Sequence, residues 1–227
     1  MIAVIAALVV GATVFFRLQN IQVMGAQRYS TQQIIAASGA IQGENLFAMN
    51  KFDMAAQIRY QLPYVEGVNI RRALPDTLLI TVTETGAAAA VESNQGRWLI
   101  SRSGKVLERA EEETQVISVT GLTAVDPQAG EMLQVEEELQ SRKDGLQALL
   151  KSLDGCGLLG EVTALDLRSA AYIIMQVGDR FTVKLPGSGD FDYLLGAMNA
   201  TIEKLEPYES GTLDLTAKDY TVVFSPA

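Results

Sequence analysis

The feature that most constrains this chain is an uninterrupted apolar run from Met1 to Phe16. The run contains no charged side chain, and Arg17 ends it. At about 1.5 Å per helical residue it reaches about 24 Å, slightly less than the roughly 30 Å hydrocarbon core of a bilayer. No later apolar stretch is long enough to span a membrane. The order of the chain therefore predicts one anchor followed by a folded body at a membrane surface.

Three interpretations of residues 1–16 compete. A cleaved signal peptide requires a basic segment before the apolar run and small residues at the cleavage site, whereas Phe15 and Phe16 are bulky. A buried core helix agrees with the length but would have no polar face for solvent. We favour a signal anchor whose cytoplasmic tail is missing from this sequence, because no basic residue precedes the run.

Composition narrows the classes of function. The chain has no histidine, which removes the usual base near neutral pH, the Ser-His and Cys-His pairings and most zinc sites. The only cysteine, Cys156, has no second thiol for an internal disulfide. Residues 87–227 carry twelve basic against twenty-two acidic side chains, and such a field repels phosphate backbones. We therefore expect a protein that is not an enzyme, holds no metal or cofactor, and binds neither nucleic acid nor a small-molecule substrate.

Residues 17–86 show the pattern strand, helix, helix, strand, strand. Leu18–Met24 alternates apolar and polar side chains, as a half-buried strand does. Ser30 and Gln33 have the spacing of a capping box at a helix start, and Gly39 is placed to end that helix. A second helix is predicted to begin after Asn50, the candidate N-cap, and to run to Leu62 before Pro63. Strands are predicted at Val65–Arg72 and Thr77–Glu84.

Residues 87–227 are predicted to form a larger mixed α+β domain, built on an antiparallel-type sheet with two helices. Ser103-Gly104 supplies the turn of a hairpin within Arg97–Leu107. Amphipathic helices begin near Val135 and at Phe191, and Asp190 is placed to cap the second. The other predicted strands are Val116–Thr120, Val162–Leu167, Ala171–Val177, Arg180–Leu185, Gly211–Thr216 and Tyr220–Phe224.

Several short segments, taken in order, carry a family resemblance. They are Asn20–Gly25, Gly43–Phe47, Leu62–Val65, Ile70–Leu78 and Val82–Glu84. Together they resemble the POTRA domain of the bacterial cell-division proteins FtsQ and DivIB, and Arg97–Leu107 is similar to the first hairpin of that family's β domain. The resemblance implies an anchor at 1–16, a POTRA domain at 17–86 and an FtsQ/DivIB-type β domain at 87–227.

The function that the resemblance implies is a non-catalytic, single-pass scaffold of the division machinery. It places the N-terminus in the cytoplasm and the body outside the cell membrane, at the division septum, with FtsL-like and FtsB- or DivIC-like single-span proteins as partners. A terminal strand at a sheet edge offers unpaired N–H and C=O groups to such partners. The expected partner-binding residues are Tyr220, Thr221, Val222, Val223 and Phe224, with Tyr220, Val222 and Phe224 on one face of the strand.

Two other functions are weaker candidates. A POTRA-bearing accessory could bind polypeptides in protein transport or envelope assembly. Transporters of that kind continue into a membrane domain of many alternating strands, whereas this chain carries two amphipathic helices. A peptidoglycan hydrolase needs two carboxylates in contrasting surroundings, and the sequence singles out no such pair.

Overall fold

The chain folds into two units, one ending at Thr85 and the other beginning at Gly86. The computed structural model describes residues 15–111, 114–217 and 221–227. The anchor predicted at residues 1–16 therefore lies outside the described residues, apart from Phe15 and Phe16. Across the described ranges, no helix combines the length and the apolar character needed to cross a membrane.

The first unit confirms the predicted order of strand, helix, helix, strand and strand. Its elements are β1 (Asn20–Met24), α1 (Thr31–Ser38), α2 (Lys51–Gln61), β2 (Val65–Ala73) and β3 (Thr77–Glu84). The three strands form one sheet in the order β1-β3-β2, in which β1 is parallel and β2 antiparallel to β3. A parallel pair of strands needs a long connection. The connection between β1 and β3 consists of α1, α2 and β2.

The helix ends of the first unit follow the local signals in the sequence. The Gln33 N–H donates to the Ser30 hydroxyl while the Gln33 side chain accepts from the Ser30 N–H, so the capping box forms. Gly39 ends α1 with a left-handed φ of 67°. Asn50 caps α2 by accepting from the Phe52 N–H at 3.0 Å. Both helix starts are confirmed as predicted.

A compact apolar core joins the helices of the first unit to its sheet. The side chains that are fully buried there include Leu18, Ile34, Leu46, Ile58, Leu78 and Ile80. They come from both helices, from β3, from the segment before β1 and from the connection between α1 and α2, so burial of apolar surface joins distant parts of the unit.

The second unit contains nine strands and two α-helices among its described residues. The strands are β4 (Ala89–Ser93), β5 (Gly96–Ile100), β6 (Val106–Arg109), β7 (Ile117–Ala124), β8 (Val162–Asp166), β9 (Tyr172–Val177), β10 (Phe181–Pro186), β11 (Gly211–Asp214) and β12 (Val223–Pro226). The helices are α3 (Gln140–Gly155) and α4 (Phe191–Ile202), and a 3-10 turn at Glu137–Leu139 precedes α3. The predicted cap of α4 is confirmed, because the Asp190 carboxylate accepts from the Tyr193 N–H.

The sheet of the second unit is mixed, which corrects the predicted antiparallel type. Its strand order is β12-β11-β10-β9-β8-β7-β4-β5-β6. The pairs β4/β7, β7/β8 and β10/β11 are parallel. For two of these pairs the physical reason is the position of the helices: α3 lies between β7 and β8 in the chain, and α4 lies between β10 and β11, so each helix serves as a crossover that returns the chain in the same direction. For the pair β4/β7 the connection instead runs through β5 and β6.

Two strands near the start of the second unit differ from the prediction. β4 was not among the predicted strands, and its alanines carry little strand propensity. It is a strand because it pairs with β5 on one side and with β7 on the other. β7 continues through Gly121, where the prediction ended it. Gly121 has a φ of 81°, and a Cβ there would lie 2.3 Å from the Arg168 N. A strand can pass this point only with glycine.

Both helices of the second unit share one apolar core with the sheet. Leu146, Leu149, Leu150 and Leu153 of α3 are fully buried in the same cluster as Leu194 and Leu195 of α4. Along β10, buried and half-buried residues alternate, which is the pattern of a strand with one face on the core. The helices therefore cover one face of the sheet at β10, and the half-buried side chains lie on the other face.

Candidate partner-binding edge

The last strand, β12, lies at the edge of the sheet, as the edge hypothesis required. It pairs with β11 in antiparallel register, with Val223 opposite Asp214 and Phe224 opposite Leu213. In the described part of the chain no strand pairs with its outer side. Its bounds correct the prediction of Tyr220–Phe224, because the strand covers Val223–Pro226 and Thr221 and Val222 precede it, while Tyr220 lies outside the described residues.

The late start of β12 follows from where β11 ends. The Asp214 carboxylate accepts from the Thr216 N–H at 2.9 Å and from the Thr216 hydroxyl at 2.6 Å. This is an Asx turn, which takes the backbone out of the strand after Asp214. β11 therefore ends two residues before the predicted Thr216, and pairing begins at Val223.

Hydrogen bonds around β11 establish which backbone groups of β12 point outward. The Gly211 N–H donates to the Arg180 carbonyl, just before β10, at 3.0 Å, and the Leu215 N–H donates to the Lys184 carbonyl of β10 at 2.8 Å. Because backbone groups alternate in direction along a strand, those of Thr212 and Asp214 point toward β12. The Ala227 N–H donates to the Ser210 carbonyl at 2.9 Å, which agrees with this alternation. Val223 and Ser225 thus bond to β11, and the N–H and C=O of Phe224 face away from the sheet.

Pro226 limits this open edge at its end. By the same alternation its backbone also faces outward, where proline has no N–H to donate. The outer edge of β12 therefore offers a complete donor and acceptor pair at Phe224 and only an acceptor at Pro226. An added strand can therefore form both backbone hydrogen bonds at Phe224. At Pro226 it can form only one, so the pairing weakens toward the end of β12.

The side chains of the predicted site separate onto two faces. Val222 and Phe224 pack against the core, and the Phe224 ring lies 6.4 Å from the ring of Phe181. The Val223 side chain is 51% exposed on the opposite face, and Thr221 is also exposed. The predicted alternation is confirmed for these residues, whereas Tyr220 lies outside the described residues.

A charged row continues from Val223 across the exposed face of the sheet. Val223 lies opposite Asp214, and Asp214 lies opposite Lys184 of β10. The Lys184 ammonium donates to the Asp214 carboxylate at 3.3 Å and lies 4.9 Å from the centre of the Tyr172 ring. Beside β12 the sheet therefore presents an apolar side chain, a carboxylate and a cation in sequence.

Hydrogen bonding keeps the carboxylates of this face ionised. Partial burial raises the pKa of Asp214, but hydrogen bonds from Thr216 and Lys184 outweigh it, and the pKa lies below its ordinary value of 3.8. On β8, hydrogen bonds from the Arg168 guanidinium hold the pKa of Asp166 below its ordinary value, despite burial. Both groups are therefore negatively charged at neutral pH.

Further along the same face lies an open pocket of about 500 Å³. Its lining includes Asp166, Arg168, Tyr172 and Lys184. The arrangement combines fixed charges with an aromatic ring, which suits recognition of a polar polypeptide surface. In the portions of the chain that the structure describes, no three acidic or cysteine side chains are grouped so that they could hold a metal ion.

Sequence reasoning did not include Lys184, Asp214 or Tyr172 in the site. One local signal was available, since an Asp side chain readily accepts from the backbone N–H two residues further on and so forms an Asx turn. Nothing local places Lys184 beside Asp214, because they are thirty positions apart and meet only through the parallel pairing of β10 with β11.

Comparison with known proteins agrees with this architecture. The POTRA domain of FtsQ type matches residues 16–85, which contain every element of the first unit. The cell division protein FtsQ of Corynebacterium glutamicum is 28% identical over 176 residues, which cover 68% of this chain and 77% of that protein. The first unit is thus similar to an FtsQ-type POTRA domain, and more than half of the chain is similar to a protein of the FtsQ/DivIB family.

The chain is also similar to DivIB proteins. The cell division protein DivIB of Clostridium tetani is 25% identical over 215 residues, which cover 92% of this chain and 80% of that protein. DivIB of Clostridium botulinum is 29% identical over 126 residues, so the match covers 55% of this chain and about half, 49%, of that relative. The family resemblance seen in the sequence segments is confirmed.

Proposed function

We propose that this chain is a non-catalytic scaffold of the bacterial division machinery, of the FtsQ/DivIB kind, held at the cell membrane by its N-terminal segment and active at the septum. Similarity to cell-division proteins, in the first unit and over more than half of the chain, supports the cellular role. The observation that carries the molecular role is the open outer edge of β12 beside the charged row of Asp214 and Lys184.

The proposed partners are FtsL-like and FtsB- or DivIC-like single-span division proteins, which bind by adding a strand to β12. The partner backbone pairs with the outward N–H and C=O of Phe224. Its side chains contact Val223, which is 51% exposed, and a basic group in the partner meets the ionised Asp214. The backbone pairing supplies affinity, and the row of side chains supplies specificity.

The size of β12 limits what strand addition alone can contribute. The strand has four residues, and proline occupies one of them. Each backbone hydrogen bond contributes about 0.5–1.5 kcal/mol net, so the few bonds available give only weak binding by themselves. We therefore propose that contacts of the partner with Val223 and with the charged row contribute a large share of the affinity.

A substitution at Val223 tests this edge without disturbing the core. In the full chain, Val223→Asp is expected to weaken binding of the extracytoplasmic segment of an FtsB- or DivIC-like partner at least tenfold, because it adds an unpaired charge to the interface next to Asp214. The matched control is Val125→Asp, which makes the same change at a valine that is 40% exposed in the same unit. Affinity is measured by calorimetry or by co-purification.

Equal binding by the Val223→Asp variant and the unmodified chain would remove β12 from the interface. Phe224→Asp is a less informative variant, because Phe224 packs on the core beside Phe181 and its loss would disturb β12 itself. The cellular role is tested separately by localisation: recruitment to midcell during constriction is expected, and a uniform distribution around the envelope would contradict the scaffold role.

A further inference from the structure

A cluster of aromatic side chains lies at the entry of the chain into the first unit. The rings of Phe15 and Phe16 are 5.2 Å apart, and the ring of Phe16 is 5.2 Å from that of Phe47. Both contacts are edge-to-face. Phe15 is 66% exposed and Phe47 is 56% exposed, and both contact Phe16, so the three rings form one contiguous, partly exposed aromatic surface. We call these residues, Phe15, Phe16 and Phe47, the entry patch.

Backbone pairing holds the two parts of the entry patch together. The Leu46 N–H donates to the Phe16 carbonyl at 2.9 Å, and the Leu18 N–H donates to the Glu44 carbonyl at 2.8 Å. Leu18 and Leu46 are both fully buried. The loop that carries Phe47 therefore stays beside the segment where the apolar run of residues 1–16 ends.

A cation stabilises the same loop. The Arg72 guanidinium donates to the carbonyls of Leu46 and Met49 and lies 5.5 Å from the centre of the Phe47 ring. Arg17, exposed, directly follows the patch in the chain. Arginine beside exposed phenylalanine is the composition found where protein surfaces contact the boundary of a lipid bilayer.

We propose that the entry patch is a membrane-contacting surface, in which Phe47 inserts into the interface between lipid headgroups and acyl chains beside the anchor. The inference rests on the proposed function, because it takes residues 1–16 as the anchor. Continuity of the chain carries it: residues 1–14 are all uncharged and largely apolar, and they lead directly into Phe15. A bilayer that accepts this segment lies next to Phe47.

Charge agrees with a lipid surface as the occupant. Residues 17–86 carry six basic and five acidic side chains, whereas residues 87–227 carry a large acidic excess. Because the charge of the first unit is nearly balanced, a negatively charged lipid surface does not repel it as it repels the acidic second unit. A partner polypeptide is the competing occupant of the entry patch. Reporters placed in the patch distinguish contact with lipid from contact with a polypeptide.

The test uses the full chain reconstituted in phospholipid vesicles whose acyl chains carry bromine as a fluorescence quencher. The single tryptophan, Trp98, is replaced by phenylalanine, and Phe47→Trp introduces a reporter in the patch. We expect bromine to quench this reporter severalfold more than a reporter at Tyr60→Trp. Tyr60 is the matched control, because its exposure of 58% is close to that of Phe47. It lies near the far end of α2, about 14 Å along the helix from Lys51, the first residue of α2 after Phe47.

A second pair of variants keeps the test valid if the tryptophan background folds poorly. Phe47→Cys and Tyr60→Cys, each in a Cys156→Ser background, carry a nitroxide label. We expect the label at position 47 to be more accessible to oxygen dissolved in lipid than to a water-soluble nickel complex, and the label at position 60 to show the reverse. Equal accessibility at the two positions would overturn the proposal.

Flotation of the vesicles separates failure of the inference from failure of the proposed function. If the chain does not float with the vesicles, the anchor itself is wrong. If it floats and the reporter at position 47 stays in water, the anchor stands and the entry patch does not contact lipid. If that reporter is shielded only after a partner segment is added, the patch binds polypeptide and the membrane proposal is wrong.

Discussion

At the scale of single residues, pairing of β11 with β12 depends on Gly211. A Cβ at this position would lie 2.2 Å from the Ser225 carbonyl oxygen, a backbone atom of β12. Backbone cannot move aside as the end of a flexible side chain can. Gly211 therefore permits the close approach of the two strands that brings β12 onto the sheet.

Gly211→Ala is expected to displace β12 and to destabilise the second unit by about 1–3 kcal/mol, because the added methyl group overlaps backbone. The measurement is chemical denaturation together with partner binding, which is expected to fall in parallel. Gly196→Ala in α4 is the matched control, since a Cβ there meets nothing within 4 Å. Gly196→Ala is expected to stabilise the second unit by up to about 1 kcal/mol. Equal changes in the free energy of unfolding for the two variants would contradict the packing argument.

The ion pair of Asp214 with Lys184 makes a pH-dependent contribution. Because the pKa of Asp214 in the folded chain lies below its ordinary value of 3.8, its stabilisation is present above that pH and is lost as pH falls through the folded-state pKa. Asp214→Asn keeps an acceptor for the Thr216 N–H but removes the charge. At pH 7 it is expected to cost roughly 0.5 kcal/mol, because the pair is partly exposed.

Urea titrations of Asp214→Asn and the unmodified chain at several pH values measure this contribution. The difference between their free energies of unfolding is expected to shrink toward zero as the pH falls below 3.8. Lys184→Met is expected to show a similar cost at pH 7, since it removes the other half of the pair. A difference that stays constant down to low pH would mean that Asp214 acts only through its turn.

At the scale of elements, β12 is an edge strand whose open and paired backbone groups alternate. Short length and a terminal proline are common protections of a natural sheet edge against unwanted pairing. Both are present here, since β12 has four residues and contains Pro226. The edge is therefore partly protected, and specific binding needs the neighbouring side chains as well.

Amide hydrogen exchange resolved at single residues tests this alternation. In the free chain the Phe224 N–H is expected to exchange quickly, while the N–H groups of Val223 and Ser225, which bond to β11, exchange slowly. Addition of a binding partner is expected to slow exchange at Phe224 selectively. If the partner binds and the Phe224 amide is unaffected, binding uses another surface than the edge.

At the scale of the whole molecule, two apolar cores support two units. The core of the first unit and the core of the second share no residue, and each is built only from side chains of its own unit. Charge is divided in the same way, with the acidic excess beyond residue 86. We infer that each unit has its own stability as well as its own proposed surface.

Separate cores predict separate responses to mutation. Ile58→Ala, at a fully buried residue of α2, is expected to destabilise the first unit by about 2–5 kcal/mol. Peptides from α1, α2 and β3 are expected to exchange faster, while those from β9 and β10 are unchanged. Leu149→Ala in α3 is the matched variant with the reverse pattern. Loss of protection in both units from either substitution would show a single cooperative unit.

The sequence alone determined those elements whose signals are local. The caps at Ser30, Asn50 and Asp190 lie within three residues of the N–H groups they accept from, so the helix starts were predictable. The order of elements in the first unit followed from periodicity and from the family resemblance. The expectation of a terminal edge strand also came from the sequence, although its bounds did not.

Only the tertiary structure decided features that join distant parts of the chain. The alanine-rich β4 became a strand through its neighbours, the sheet became mixed through the crossovers at α3 and α4, and Lys184 came to lie beside Asp214 through parallel pairing. Phe47 likewise meets Phe16 because the backbones at Leu46 and Phe16 are hydrogen-bonded. The physical reason is common to all: each depends on pairing between segments far apart in sequence, whose partners no local pattern specifies.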